Sequence, residues 1–416
     1  MTQLTKDSQS YGNKLLKLET VIKKIKSNIK SHHYTETIKI KNSLNRIFAD
    51  EIRSNINVPA YSNSAVDGYA INYNEYSHGN REFNIIGKSS AGHPFKGKIK
   101  KLTSIRVLTG AMLPSKLDTI IMEEDCSVKK GILHLPNLVK KGINYRYLGE
   151  DIKKNTIVYK KGHKVRAQDI GVLSSLGIKE IKVYKLLKVA IFSCGDELTD
   201  VDNLLKKGHI YDSNREMIKG FLIKLGYSIT DLGILEDDKD IIQKKLKKAT
   251  MNNDLIITSG GMSLGDEDHI KKIIEKNGTM HAWRLAIKPG RPVGFGLYNN
   301  CPIIGLPGNP AAAFITFLML AVPILKQVSG QKIEKYNLIP ITSNFHYSKK
   351  KGRREFVRVK MVNKKNKLSL LKFPKVGAGI LTSATWSTGI GILNENIVKI
   401  KPGDKIDYLS YNEIID

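Results

Sequence analysis

DLIITSGGMSLGDEDH, Asp254 to His269, is the stretch on which the reading of this chain turns. Apolar β-formers run into Thr258-Ser259-Gly260-Gly261, and the acidic triplet Asp266-Glu267-Asp268 then leads into helical spacing. A strand that ends on paired glycines and hands over to a helix is an anion-binding device. Glycine lets backbone N–H groups approach the anion, and the helix start adds its positive end. Taken singly, Gly260-Gly261 serves equally as a tight turn, and the acids serve equally to complement a helix dipole.

Outward from there, residues 186–330 alternate strands with amphipathic helices. LLKVAIFSC is a strand, SNREMIKGFLIKLGY a helix capped by Ser or Asn, SITDLGIL a strand and DKDIIQKKLKKATM a helix. After the quoted stretch come AWRLAIK, GFGLY and CPIIGL as strands and a helix from Pro310 through Leu325. The pattern predicts right-handed crossovers and a doubly wound, largely parallel α/β sheet covered on both faces. In such sheets ligands bind beyond the carboxyl ends of the strands. Four loops leave strands at that edge: Ser193–Glu197, Glu236–Asp238, Thr258–Ser263 and Gly305–Pro310. In the last, Asn309 is a predicted helix cap and Pro310 a first helical residue, which makes a second cradle. Carboxylates beside a bound phosphate would repel it unless a divalent cation lies between them. Magnesium, with oxygen ligands, is the simplest choice. Capping remains the plain alternative for any one acid, Asp237 included.

The rest of the chain frames this unit. At 416 residues it predicts two to four domains. Residues 12–30 have helical spacing; 46–150 carry short β runs broken by Gly, Pro and Asn; 163–185 read as a helix and a strand; 335–416 return to β runs. The apolar run Ala311–Leu325 is short for a bilayer and contains Pro323, so it reads as a buried helix. No signal-type apolar segment opens the sequence, and Cys126, Cys194 and Cys301 lack metal or disulfide spacing, which suits a reducing cytoplasm. The formal charge of +29 invites a nucleic-acid reading. Yet the lysines are scattered, with no basic arm or interleaved aromatics, so solvated surface lysine explains the charge better and neither nucleic acid nor membrane is expected as a partner. Only 12 of the 68 basic residues are Arg, and several, among them Arg146, Arg215, Arg284, Arg291, Arg353 and Arg354, fall beside such loops. Guanidinium suits bidentate oxyanion contacts. Lys288 in IKPG is a further candidate cation. In the β-rich part, Asn63–Ala70 (NSAVDGYA) holds one carboxylate, Asp67, whose role the residues alone leave undecided.

Together these stretches resemble the MoeA family, the molybdopterin molybdenumtransferases, whose relatives include the E domain of gephyrin. NSAVDGYA, RVLTGAMLP with DTIIMEED, GINYRYLGEDI, SCGDEL, IYDSNR, TSGGMSLGDED, LAIKPGRP, GLPGNPAAA and KGRREFVR occur in the family's order. The resemblance implies four parts: a discontinuous helical/mixed domain (12–45 and 150–185), an inserted β-rich module (46–149), a MogA-like α/β pterin-binding domain (186–330) and a C-terminal β domain (335–416). It implies a homodimer with the cleft between subunits, and a MogA-type partner enzyme. The implied reaction joins molybdate to adenylylated molybdopterin with magnesium and releases AMP. Asp67, Thr109, Asp151, Glu197, Asp237 and Asp268 are the implied catalytic positions, with Asp237 and Asp268 on metal. Arg146, Gly260, Gly261, Ser263, Arg284, Lys288, Pro307, Gly308, Asn309 and Arg353 are the implied substrate contacts. The chain departs from the family at Pro59-Ala60-Tyr61-Ser62, which lacks a carboxylate, and at Ser383–Ile390, where Ser383 and Ser387 compete as the oxyanion serine. Asp266 is an alternative to Asp268. The runner-up functions are molybdopterin adenylylation and a gephyrin-type scaffold.

Overall fold

The computed structural model describes residues 15–29, 34–261, 269–364 and 366–415. Its centre is a six-stranded sheet of β1 (Lys188–Cys194), β2 (Ser228–Leu235), β3 (Leu255–Gly260), β4 (Gly278–Arg284), β5 (Pro292–Tyr298) and β6 (Cys301–Leu306). The spatial order is β2-β1-β3-β6-β5-β4. The first four of these run parallel, and β5 is antiparallel to both its neighbours. Helices α1 (Ser213–Leu225), α2 (Lys239–Asn252) and α3 (His269–Asn277) make the crossovers. Alternation along β1 divides the core between the two faces. Val189 and Ile191 pack with Ile218 and Leu222 of α1, while Ala190 and Phe192 pack with Ile242 and Leu246 of α2. This is the doubly wound α/β sheet expected, with an antiparallel addition at one edge.

Three details differ from the sequence reading. The cap of α1 is Asp212, whose carboxylate accepts from the Arg215 N–H at 3.1 Å, rather than the Ser or Asn that follows. AWRLAIK is not one strand. It breaks after Arg284, and Ile287–Lys288 crosses to pair in parallel with Arg354–Glu355 of the C-terminal domain. The final helix, α4, runs Pro310–Val328, so its 19 residues are long and apolar enough to cross a membrane, contrary to the expectation of a short run. It is nevertheless a core helix, with 89% of its apolar window buried. A π turn at Phe317–Ala321 precedes Pro323, which has no N–H to give back to the previous turn.

The C-terminal strands Ile339–Ser343, Arg354–Lys364, Lys367–Lys372, Gly389–Leu393 and Lys405–Ser410 close on themselves through the pairing of Arg354–Lys364 with Gly389–Leu393, forming a small barrel. The β module is a separate six-stranded sheet that includes Gly68–Ile71, Thr103–Val107 and Thr119–Met122. On either side of it in sequence, Thr35–Lys39 pairs antiparallel with Glu180–Tyr184, so the chain rejoins itself around the module.

Candidate functional site

All four loops singled out in the sequence leave the carboxyl ends of the parallel strands β1, β2, β3 and β6. The glycine turn is sterically fixed. Gly260 and Gly261 have φ of +81° and +63°, and a Cβ on Gly260 would lie 2.2 Å from the Cys194 carbonyl oxygen. Gly308 lies against the same turn, since its own Cβ would come within 3.9 Å of the Gly260 Cα. The two glycine loops thus form one cradle. Its small cavity, about 50 Å³, is lined by Cys194, Glu197, Asn214, Ser259, Gly260 and Gly308 among others.

The acids divide by role. Asp238 caps α2, accepting from the Asp240 and Ile241 N–H groups at 2.9 Å each, which leaves the Asp237 side chain available to the cradle edge. Its backbone N–H donates to Asp196 Oδ1 at 3.3 Å, and its Oδ1 accepts from the Cys194 thiol at 3.4 Å. Among the described residues no group of three or more metal-binding side chains occurs. Asp196 and Asp237 still give two hard oxygen donors, and magnesium needs only one or two carboxylates when phosphate and water complete its octahedron. The donor set fits that ion. Ser263, Asp266 and Asp268 lie outside the described residues. Asn309 occupies the cap position of α4, but its side chain makes no capping bond. Pro310 has no N–H to offer, and the Ala311 N–H donates instead to the Ala378 carbonyl at 2.9 Å.

A second concavity, about 620 Å³, opens between the α/β domain and the barrel. Pro307 and Asn309 reach it from the cradle side, and Lys288 and Arg353 line it as well. It holds eight cationic side chains against a single carboxylate, the buried Glu355. Glu355 Oε2 accepts from the Tyr347 hydroxyl at 2.7 Å and lies 3.4 Å from Lys288 Nζ. Burial, together with that bond, pushes the Tyr347 phenol pKa up. Arg284 ends β4 and does not line this cleft, whereas Arg291 does.

Two lining cations escaped the sequence reading. Arg358 donates from Nε to Ser383 Oγ at 2.6 Å and from Nη2 to the Gly377 carbonyl at 3.1 Å. Lys372 donates to the Phe373 carbonyl at 2.9 Å. Burial lowers the pKa of both, and Arg358 lowers that of Lys372 further. Neither has a carboxylate partner among the described residues. Two desolvated, mutually repelling cations without a counter-ion mark a seat for an anion. The signal in sequence was Arg358 itself, one of few arginines, set two residues beyond Phe356 on an alternating strand. Of the two competing serines, Ser383 touches Arg358, while Ser387 is bonded to the Tyr411 hydroxyl at 2.6 Å.

In the β module Asp67 Oδ1 accepts from both the backbone N–H and the hydroxyl of Thr109 at 2.7 Å. Those bonds, the backbone one first, hold the Asp67 carboxyl below its ordinary pKa, so it is an exposed, firmly ionised acceptor. Arg146 pairs with Asn63 in a two-residue ladder at the base of the same loop, and the Asp151 N–H donates to the Val58 carbonyl at 3.0 Å. The structure therefore brings Asp67 and Thr109 together, with Arg146 beside their loop. Among the described residues no strand of this module packs extensively on a strand or helix of the α/β domain of its own chain.

Fold and site together define a multidomain α/β protein whose glycine cradle and basic cleft suit anionic small molecules. Residues 16–177 match the MoeA N-terminal region (domain I and II), 190–327 a probable molybdopterin binding domain, and 341–411 the MoeA C-terminal region (domain IV). The chain is 35% identical to the molybdopterin molybdenumtransferase of Haemophilus influenzae over 92% of its own length and 95% of that protein's. It is 30% identical to gephyrin of Dictyostelium discoideum over 71% of its length and 47% of that protein's. A crystal structure of the molybdopterin biosynthesis moeA protein from Pyrococcus horikoshii superposes with a TM-score of 0.81, at 26% identity, covering 96% of this chain and all of that one. The chain belongs to the MoeA family.

Proposed function

We propose that this protein is an enzyme that inserts molybdenum into molybdopterin, taking molybdate and the adenylylated pterin as substrates and releasing AMP. One observation carries the mechanism: a backbone cradle edged by carboxylates adjoins, through the shared loop Pro307–Asn309, a cleft in which eight cationic side chains face a single carboxylate. The cradle amides of Gly260, Gly261 and Gly308 suit a phosphorylated pterin, and the cleft suits a tetrahedral oxyanion. Arg358, Lys372, Lys288 and Arg353 hold that oxyanion, with Ser383 as the serine contact. Asp196 and Asp237 would hold magnesium, with Asp268 a further candidate ligand, and the ion would supply charge neutralisation at the phosphoanhydride. Glu197 shapes the cradle wall. No covalent nucleophile is required, because the attacking and leaving groups both belong to the substrates.

Asp67, Thr109, Arg146 and Asp151 enter the reaction through a homodimer in which the β module of one subunit faces the α/β domain of the other. The separation of the module from its own α/β domain supports that arrangement. Four domains with the boundaries 12–45 plus 150–185, 46–149, 186–330 and 335–416 describe the subunit. A cytoplasmic setting accords with the three free cysteines, and a MogA-type enzyme supplies the adenylylated pterin. The test is AMP release from adenylylated molybdopterin by the purified protein, with and without molybdate and magnesium. Release that depends on both is expected. Pterin binding without release would transfer the function to adenylylation or scaffolding.

A further inference from the structure

Asn214 lies in the first turn of α1 and is 6% exposed. Its amide donates twice, to Ser259 Oγ at 2.8 Å and to the Gly308 carbonyl at 2.7 Å. One side chain therefore ties the end of β3, directly before Gly260, to the loop that follows β6. The carbonyl partner accepts only, which fixes the amide's orientation and leaves its own Oδ1 buried without a partner among the described residues. A buried acceptor left unsatisfied costs stability, so the side chain's worth lies in its two donated bonds. The turn that carries it is held firmly. The neighbouring Arg215, also buried, is gripped by Asp212 at 3.2 Å and Asp231 at 2.6 Å and by Asp200.

We propose that Asn214 is the positioning residue that sets the spacing of the two glycine loops, and through it the affinity for the phosphorylated pterin. The inference rests on the functional reading above. Neither loop has another side chain bonded to both among the described residues. Without the clamp the loops keep their strands but lose their common register, and a ligand held by amides from both must reorder them on binding. The cations of the basic cleft stand on the barrel and around Lys288 rather than on the clamped loops, which give it only Pro307 and Asn309, so its oxyanion affinity should depend on Asn214 far less than the cradle's does.

The experiment compares the wild type with Asn214→Asp, which replaces the donating amide by an acceptor facing the Gly308 carbonyl. Hydrogen exchange is read in the ligand-free protein over 255–261 and 305–312, and KM is measured separately for adenylylated molybdopterin and molybdate. Exchange in both segments should rise about tenfold and the pterin KM about tenfold, with the molybdate KM within about twofold, on the scale of one or two lost hydrogen bonds. Unchanged exchange, or an equal rise in both KM values, would overturn the proposal. If Asn214→Asp fails to fold, Ser259→Ala removes one leg of the clamp from the other side. It should shift the same quantities by a smaller factor, and no shift there would overturn the proposal too. Absence of pterin binding by the wild type defeats the enzyme reading instead, whereas the exchange comparison still reports on the clamp.

Discussion

The cradle and the basic cleft both suit anions, and they do so by opposite means. The cradle uses main-chain amides, freed by glycines whose left-handed backbone no other residue adopts cheaply, with carboxylates at its rim. The cleft uses side-chain cations, two of which, Arg358 and Lys372, are partly desolvated and have no carboxylate partner among the described residues. An amide cradle is built by backbone geometry and tolerates nearby acid when metal intervenes. A cationic seat is built by charge, and its cost is carried by the folded protein until the ligand arrives. The difference teaches that stability and function should respond in opposite senses to mutation at the two places.

The largest effect should come from Asp237→Asn. Removing a rim carboxylate should lower molybdate-dependent AMP release by about 100-fold or more while oxyanion binding to the cleft stays intact. Parallel loss of both would erase the division of labour between the sites. Next, Arg358→Met should weaken binding of molybdate by about 10- to 100-fold, the scale of one or two charged hydrogen bonds. In thermal unfolding the same variant should be no less stable than the wild type, because it removes one of two repelling, half-buried cations. A clear drop in Tm would show that Arg358 is structural. Gly260→Ala should do the reverse, costing on the order of 1–3 kcal/mol in urea denaturation because its Cβ meets the Cys194 carbonyl. Oxyanion binding should survive it.

The smallest effect is on pH. The folded pKa of Lys372 lies below the ordinary lysine value, so the folded state binds its proton less readily than the unfolded state does. Its charge burdens stability at neutral pH, and that burden is relieved as pH rises through the depressed pKa toward about 10.4. Over the same window oxyanion affinity should fall severalfold, measured by equilibrium dialysis of molybdate, and Lys372→Arg should move the fall to higher pH.

Much of the cradle was legible in the sequence because backbone demands leave marks in residue type. Gly260-Gly261 and Pro310 each announce a conformation, and strand alternation with amphipathic helices announced which edge they share. Asp237 could be read as a cap or as a site residue. The structure gives the cap to Asp238, which accepts from the Asp240 and Ile241 amides. The cleft was only half legible. Lys288 and Arg353 stand in recognisable runs, but Lys372 is one lysine among many, and its meaning comes from burial beside Arg358, which no local pattern encodes. The clamp at Asn214 was hidden for the same reason: its partners are 45 and 94 residues away.

The crossing of Ile287–Lys288 into the barrel's sheet has a consequence for how the chain comes apart. Leu18 and Val21 near the beginning, the α/β residues Leu285 and Phe314, and Phe356, Ile390 and Ile415 of the C-terminal part all belong to one buried cluster. Three stretches far apart in sequence should therefore melt as one cooperative unit, while the β module, with its own two clusters, should be able to open separately. A graft of the barrel onto another α/β unit would carry an unmatched half-core with it, whereas the module could be exchanged as a cassette.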